Sequence, residues 1–206
     1  MPTFDVVSPA DWTTARARLR TLETEEASAR EAVNTARRRM PAVRVEKAYA
    51  FDGPAGRVGL ADLFEGRPQL IVYHFMFLPS WSAGCPYCSH VIDNVGHPAH
   101  MNALGTTFAA VSRAPQSKIG PFRERMGWPI PWYSAVGTDF NEDFHATDER
   151  GALTVFLRDG DSMFHTYSAY DDEVDLHLLD SSYLDLTPLG LPPSQPWPQH
   201  HDKYRR

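Results

Sequence analysis

The sequence predicts an α/β fold: a thioredoxin-like arrangement of buried strands with flanking helices, a long N-terminal helix and an extended proline-rich C-terminal tail. Three observations carry this. The longest apolar run, residues 70–78, is broken only by His74 and has the length and β-branched character of a strand buried on both faces. A second such run, "TTFAAVSRA", follows after a polar helical stretch. Between them, directly after "LIVYHFMFLPSWSA", stands "GCPYCSH" (residues 84–90), which holds the only two cysteines of the chain. A buried strand, a Cys-x-x-Cys at a helix start and a crossover to a second buried strand make a βαβ unit, and this motif beside that unit is the thioredoxin-like signature.

Composition bounds the rest. The chain has 206 residues, 42% hydrophobic and 22% charged, enough for one core domain with an appendage. We divide it into a helical arm (1–41), the core domain (42–188) and a tail (189–206). A net charge of −6 repels a phosphate backbone and argues against nucleic acid as a partner. No apolar run approaches the roughly 18 residues of a membrane span. "MPTFDVVSPADW" lacks the basic and apolar regions of a secretion signal, so the expected setting is the cytoplasm, where a close cysteine pair is catalytic or metal-binding rather than structural.

The elements follow in order. Ser8 is an N-cap, Pro9 suits the first helical position, and no glycine or proline interrupts the chain until Pro41. Trp12, Ala15, Leu19, Leu22, Ala29, Val33, Ala36 and Met40 keep a three–four spacing. This helix either lies across its own domain or serves as an arm for a homodimer. Val43 and Val45 alternate with charged residues, Asp52-Gly53-Pro54 supplies a turn, and Val58 and Leu60 resume the alternation, which together read as a hairpin. A helical turn at 61–64 and the strand 70–77 come next. After the cysteine motif and its helix follow the strand 106–112, a helix over 115–126 made irregular in its first turn by Pro121, and a short strand at 132–135. A hairpin turns at Asp159-Gly160-Asp161, and a last helix spans roughly 173–184. The proline-rich tail lies extended or loose.

The chemistry centres on the cysteines. A thiol reacts as its thiolate, and a helix N-terminus favours that anion, so such motifs lower the first cysteine's pKa to roughly 3.5–7.5. Cys85 is then the exposed nucleophile, Cys88 the more buried resolving thiol one turn on, and Pro86 fills a position that needs no N–H. Metal is the competing use of the segment, since Cys85 and Cys88 are followed by His90, His97 and His100. The spacing from Cys88 to His97 is short for a zinc finger, and we assign no metal and no bound cofactor. His74, inside an apolar run, reads as a hydrogen-bonded core residue. His145 and His165 are candidates for lining the cleft. Arg113 either favours a thiolate or forms a surface ion pair, and Trp81 and Tyr87 are candidate cleft residues, Trp81 as an aromatic lid over the pair. His200 and His201 read as a solvated tail pair.

Taken together, "VRVEKAYAFDGPAGRVGLADLFEGRPQLIVYHFMF", "CPYCS", "FAAVSRAP", "RMGWPIPWYSAVGTDFNEDF" and "FHTYSAYDDEVDLHLLDSSYLDLTPLG" resemble an uncharacterised bacterial family described as thioredoxin-like. The resemblance runs over nearly the whole chain and implies a dithiol-disulfide oxidoreductase or isomerase acting on a small-molecule or protein disulfide, regenerated by an external thiol or reductase. The Pro-Tyr dipeptide between the cysteines is that of glutaredoxins. Two departures stand out. Thioredoxins carry a proline before the strand that faces the cysteines, whereas residues 151–155 here are Gly-Ala-Leu-Thr-Val. The likeness to the peroxiredoxin pattern is partial, with Pro79 one residue too close to Cys85 and Ser82 in the place of threonine. The alternatives to an oxidoreductase are therefore a redox-inert thioredoxin-fold scaffold, a thiol peroxidase or a zinc-stabilised domain.

Overall fold

A computed structural model of the protein describes residues 5–147, 151–190 and 198–204. Two compact units divide the chain, Met1–Pro41 and Ala42–Arg206. The first is a single helix, α1 (Pro9–Arg38). It starts as the sequence predicts: the Ser8 side chain accepts the Asp11 N–H at 3.2 Å and Pro9 lies in the first turn, while Arg37 and Arg38 close the last. The helix stops two residues short of Met40, where Arg39 leaves helical geometry. None of its residues reaches full burial, and Trp12, Leu22 and Val33 are all more than half exposed.

The second unit is built on one mixed sheet. Its strands are β1 (Val43–Arg44), β2 (Ala50–Gly53), β3 (Gly56–Gly59), β4 (Gln69–His74), β5 (Thr106–Ser112), β6 (Trp132–Ser134), β7 (Ala152–Asp159) and β8 (Ser162–Tyr170). They lie in the order β1-β8-β7-β4-β5-β6-β2-β3. β4 and β5 are parallel, joined by the crossover that carries α3 (Pro86–Asp93) and α4 (Ala99–Ala103). On the other side of β4, β7 runs antiparallel, and β8 pairs antiparallel with β7. A parallel pair with its crossover helices, continued by an antiparallel hairpin beside the first strand, is the thioredoxin-like arrangement. The fold is therefore the expected α/β one.

The pleat of β4 sorts two cores. Leu70 and Val72 face one cluster with Phe51, Leu63, Phe64, Phe140 and Phe156. Tyr73 faces the other, which holds Phe75, Phe77, Phe122, Trp128, Trp132 and both cysteines. His74 bridges elements as a core residue: it is 2% exposed, with its ring nitrogens 3.0 Å from Asn141 Oδ1 and 3.0 Å from Thr154 Oγ1. β4 ends earlier than the apolar run, at His74, although Phe75 still donates its N–H to Val111 O at 2.8 Å.

Four expectations are corrected. The 43–45 segment and the turn at 52–54 do not share a hairpin. β1 pairs with β8 at one edge of the sheet, while β2 and β3 pair with each other at the opposite edge, because alternation marks a strand without naming its partner. The helix α5 (Gln116–Met126) runs unbroken through Pro121 and ends on Gly127 in the left-handed region (φ 66°). The predicted last helix is two, α7 (Asp172–Asp175) and α8 (Leu179–Leu184), separated by extended backbone at Leu178. The tail divides as well. Residues 191–197 lie outside the described residues, but 198–204 dock on the core domain through a 3₁₀ turn, His201–Lys203. The remaining short helices are α2 (Leu60–Leu63) and α6 (Phe140–Asp143).

Candidate active site

The path from β4 to α3 places the cysteines. After His74 the chain loops out and returns so that the Cys85 N–H donates to Met76 O at 3.0 Å. Cys85 is the N-cap of α3, Pro86 fills the first turn, and Ser89 donates both its N–H (3.0 Å) and its hydroxyl (2.9 Å) to the Cys85 carbonyl. Gly84 lets this return pass against the aromatic core: a Cβ there would lie 2.5 Å from Phe75 Cε1 and 3.0 Å from Phe122 Cε1. Cys88 is fully buried one turn on, its Sγ accepting the Met76 N–H at 3.4 Å.

Electrostatics separates the two thiols. The hydrogen bond from the Cys88 thiol holds Cys85 down to about 7, against the opposing effect of burial, with the N–H groups of Cys88 and Tyr87 adding to it. Burial pushes Cys88 well above an ordinary thiol, and donating its proton to Cys85 adds in the same direction. Near neutral pH Cys85 is therefore in the middle of its ionisation while Cys88 keeps its proton. Both are free thiols, and Cys85, expected to be the exposed one, is itself buried at 6% exposure, because the loop before α3 folds back on the aromatic core. Close by, Tyr73 is fully buried. Among the described residues no hydrogen bond of ordinary geometry reaches its hydroxyl, yet it lies near enough to Cys88 for each to alter the other's proton affinity.

The other residues singled out in the sequence fall in different places. Trp81 and Tyr87 are half-buried against the cysteine cluster. The Tyr87 hydroxyl donates to Asp175, tying α3 to α7, and Lys118 Nζ donates to the Trp81 carbonyl at 2.9 Å. Arg113 pairs with Glu142 on the rim of a cavity of about 430 Å³ lined also by Leu78, Pro79 and Thr138, so the ion pair is the reading that fits it. His145 and His165 line a cavity of about 290 Å³ with Lys47, Tyr49 and Tyr170, and no residue of its wall belongs to the cysteine cluster. They are thus not brought to the cysteines: the β7–β8 ladder shifts register between Val155 and Phe156, and His165 packs on Phe144 and Phe156 of the opposite core. The finger-like set does not converge. His90 Nε2 meets Asp180 at 2.5 Å, and among the described residues no three His, Cys, Asp or Glu side chains group as metal ligands.

Three features were not foreseen. Gly84 and Tyr73 carry no signal beyond being part of a loop and of an apolar run. The tail pair is not loose: half-buried His200 donates from Nε2 to the Gly84 carbonyl at 2.8 Å, and His201, still exposed, places Nδ1 2.9 Å from Asp93 Oδ1. Arg125 holds this segment through Asp202 (2.9 and 2.8 Å) and His200 (3.1 Å). The C-terminal residues thus close over the start of α3.

A model of the family described as "Bacterial protein of unknown function (DUF899)" matches residues 1–204. The chain belongs to that family. No curated protein matches it. Among solved structures this family member is similar to a secreted Mycobacterium tuberculosis disulfide oxidoreductase, at 16% identity and TM-score 0.40, covering 58% of this chain and 83% of that one. It is also similar to Xanthomonas campestris peroxiredoxin Q (13%, TM-score 0.44, 62% and 83%). A third is the peroxidoxin BcpB of Mycobacterium tuberculosis (14%, TM-score 0.47, 67% and 90%). Likenesses at these values decide nothing about chemistry, which rests on the residues above. No helix among the described residues is long and apolar enough to cross a membrane.

Proposed function

We propose that the protein is a thiol–disulfide oxidoreductase using Cys85 and Cys88 to reduce or isomerise a disulfide of a small molecule or a protein. The observation that carries this is the placement of the pair, Cys85 at the N-cap of α3 and Cys88 enclosed one turn on, an arrangement that lowers Cys85 to about 7 and raises Cys88. In the forward step the Cys85 thiolate attacks one substrate sulfur, the substrate S–S bond breaks, and the other sulfur leaves as a thiolate with the bonding pair. Cys88 then gives up its proton to that leaving thiolate, which departs as a thiol, and attacks Cys85 Sγ. The mixed disulfide breaks, the second substrate sulfur departs reduced, and Cys85–Cys88 is left oxidised by two electrons. An external thiol or reductase of the cytoplasm returns it to the dithiol.

The test is to equilibrate the protein in dithiothreitol and glutathione redox buffers, trap its thiols and weigh it. Reversible gain and loss of an intramolecular disulfide, absent in Cys85→Ser, supports the proposal. Thiols that stay reduced across the range, or that oxidise only with unfolding, reject it. One observation favours a second reading in which α1 is a partner arm: it forms a compact unit of its own, a single helix along which Trp12, Leu19, Leu22 and Val33 keep an apolar three–four spacing. Sedimentation of the full chain against a Leu22→Glu variant checks whether that arm holds a second copy.

A further inference from the structure

The neighbourhood of Cys88 holds one more polar group than the reaction above uses. Cys88 is fully enclosed, and when it loses its proton its charge must be met by donors already present, since no water reaches it. One donor is the Met76 N–H, 3.4 Å from Sγ. The Tyr73 phenol, on β4, occupies the same buried cluster, and among the described residues its O–H meets no acceptor of ordinary geometry. The backbone opposite leaves it room. A Cβ on Gly151, at the place where thioredoxins carry a proline, would stand 3.2 Å from the Tyr73 oxygen. An enclosed hydroxyl without a partner costs stability, and a phenylalanine would fill the space without that cost. Such an unmatched buried donor fits an acceptor present only part of the time.

We infer that Tyr73 is the second donor to the Cys88 sulfur, stabilising the thiolate formed when Cys88 resolves the mixed disulfide. This rests on the redox reading above and adds a residue to it. The role is donation alone. Burial raises the phenol's own pKa, so Tyr73 keeps its proton throughout and takes none from Cys88, whose proton leaves with the departing thiol. The Met76 N–H and the Tyr73 O–H then act on sulfur as paired donors act on an oxyanion, being in place before the charge appears.

The aromatic disulfide DTNB separates the steps by colour. Cys85 attacks first, releasing one thionitrobenzoate and leaving the other on its sulfur. Cys88 then attacks Cys85 Sγ, releases the second and leaves the Cys85–Cys88 disulfide. In Tyr73→Phe the first release should keep its rate, while the second slows by on the order of tenfold, as expected for losing one hydrogen bond to a charged group. Urea unfolding of the reduced variant should show stability equal to or above that of the wild type, an effect opposite in sign to that of a purely structural tyrosine. A wild type that gives no second release overturns the redox reading and this inference together. A wild type that gives both, with Tyr73→Phe matching it, overturns this inference alone. Slowing accompanied by lost stability assigns Tyr73 to packing and overturns it also.

Discussion

Acid should unfold this protein through His74, and by an amount the structure sets. The ring lies between β4, α6 and β7, with Nδ1–H donating to Asn141 Oδ1 and Nε2 accepting from the Thr154 hydroxyl, both at 3.0 Å. A second proton would put a donor on Nε2 against that hydroxyl, and a charge on a ring that is only 2% exposed. Burial accordingly lowers its pKa from 6.5 to about 4. Between those values the unfolded chain binds a proton that the native one refuses, so stability rises with pH across the window and is lost as pH falls through it. At about 1.4 kcal/mol per tenfold change in proton affinity, the loss is about 3 kcal/mol, complete near pH 4. Burial lowers His165 too and adds to the loss with the same sign. The assay is urea unfolding at a series of pH values for the wild type and His74→Phe, which keeps the stacking on Phe140 (centroids 5.2 Å apart) but cannot titrate. At neutral pH the variant should be less stable by roughly 2–4 kcal/mol, since it strands Asn141 and Thr154. That gap should close by about 3 kcal/mol on going to pH 4. Parallel curves over the window would refute the assignment of the acid sensitivity to His74.

Two further outcomes concern the frame around the cysteines. Gly84→Ala should cost about 1–3 kcal/mol in urea unfolding, because its Cβ would overlap Phe75, whose ring is wedged against Phe122, Trp128 and Trp132 and cannot withdraw; a change within about 0.5 kcal/mol would mean the loop gives way. Arg125→Ala should cost no more than about 1 kcal/mol of stability, its ion pair being a third exposed on both sides, yet it should speed alkylation of Cys85 by releasing the segment that His200 and Asp202 anchor. An unchanged alkylation rate would show that this segment does not screen the sulfur.

How much of this was legible in the sequence depends on how local the cause is. β4 and β5 declared themselves because strands buried on both faces need unbroken apolar runs, and α1 because Ser8 and Pro9 are start signals confined to a few residues. The cysteine pair was legible for the same reason: motif, strand and helix are adjacent in the chain. The partner of β1 was not, since Val43 and Val45 look alike whichever edge they pair with. His165 was misplaced because the irregularity between Val155 and Phe156 leaves no mark on the residue types that flank it. The tail misled through composition. Prolines argue for loose chain, but Arg125, Asp93 and the Gly84 carbonyl, far apart in sequence, together hold His200, His201 and Asp202. Tyr73 and Gly151 make the same point, since only the pairing of β4 with β7 brings the hydroxyl and the missing side chain together.

The most direct test of the central claim is the rate of iodoacetamide labelling of the reduced protein against pH, in the wild type, Cys85→Ser and Cys88→Ala. The structure predicts a midpoint near 7 in the wild type, no fast labelling in Cys85→Ser, and a midpoint moved upward in Cys88→Ala, which loses the donor that contributes most to holding Cys85 ionised. Labelling with an ordinary thiol's midpoint, indifferent to the loss of Cys88, would contradict the account and leave the two cysteines as core residues.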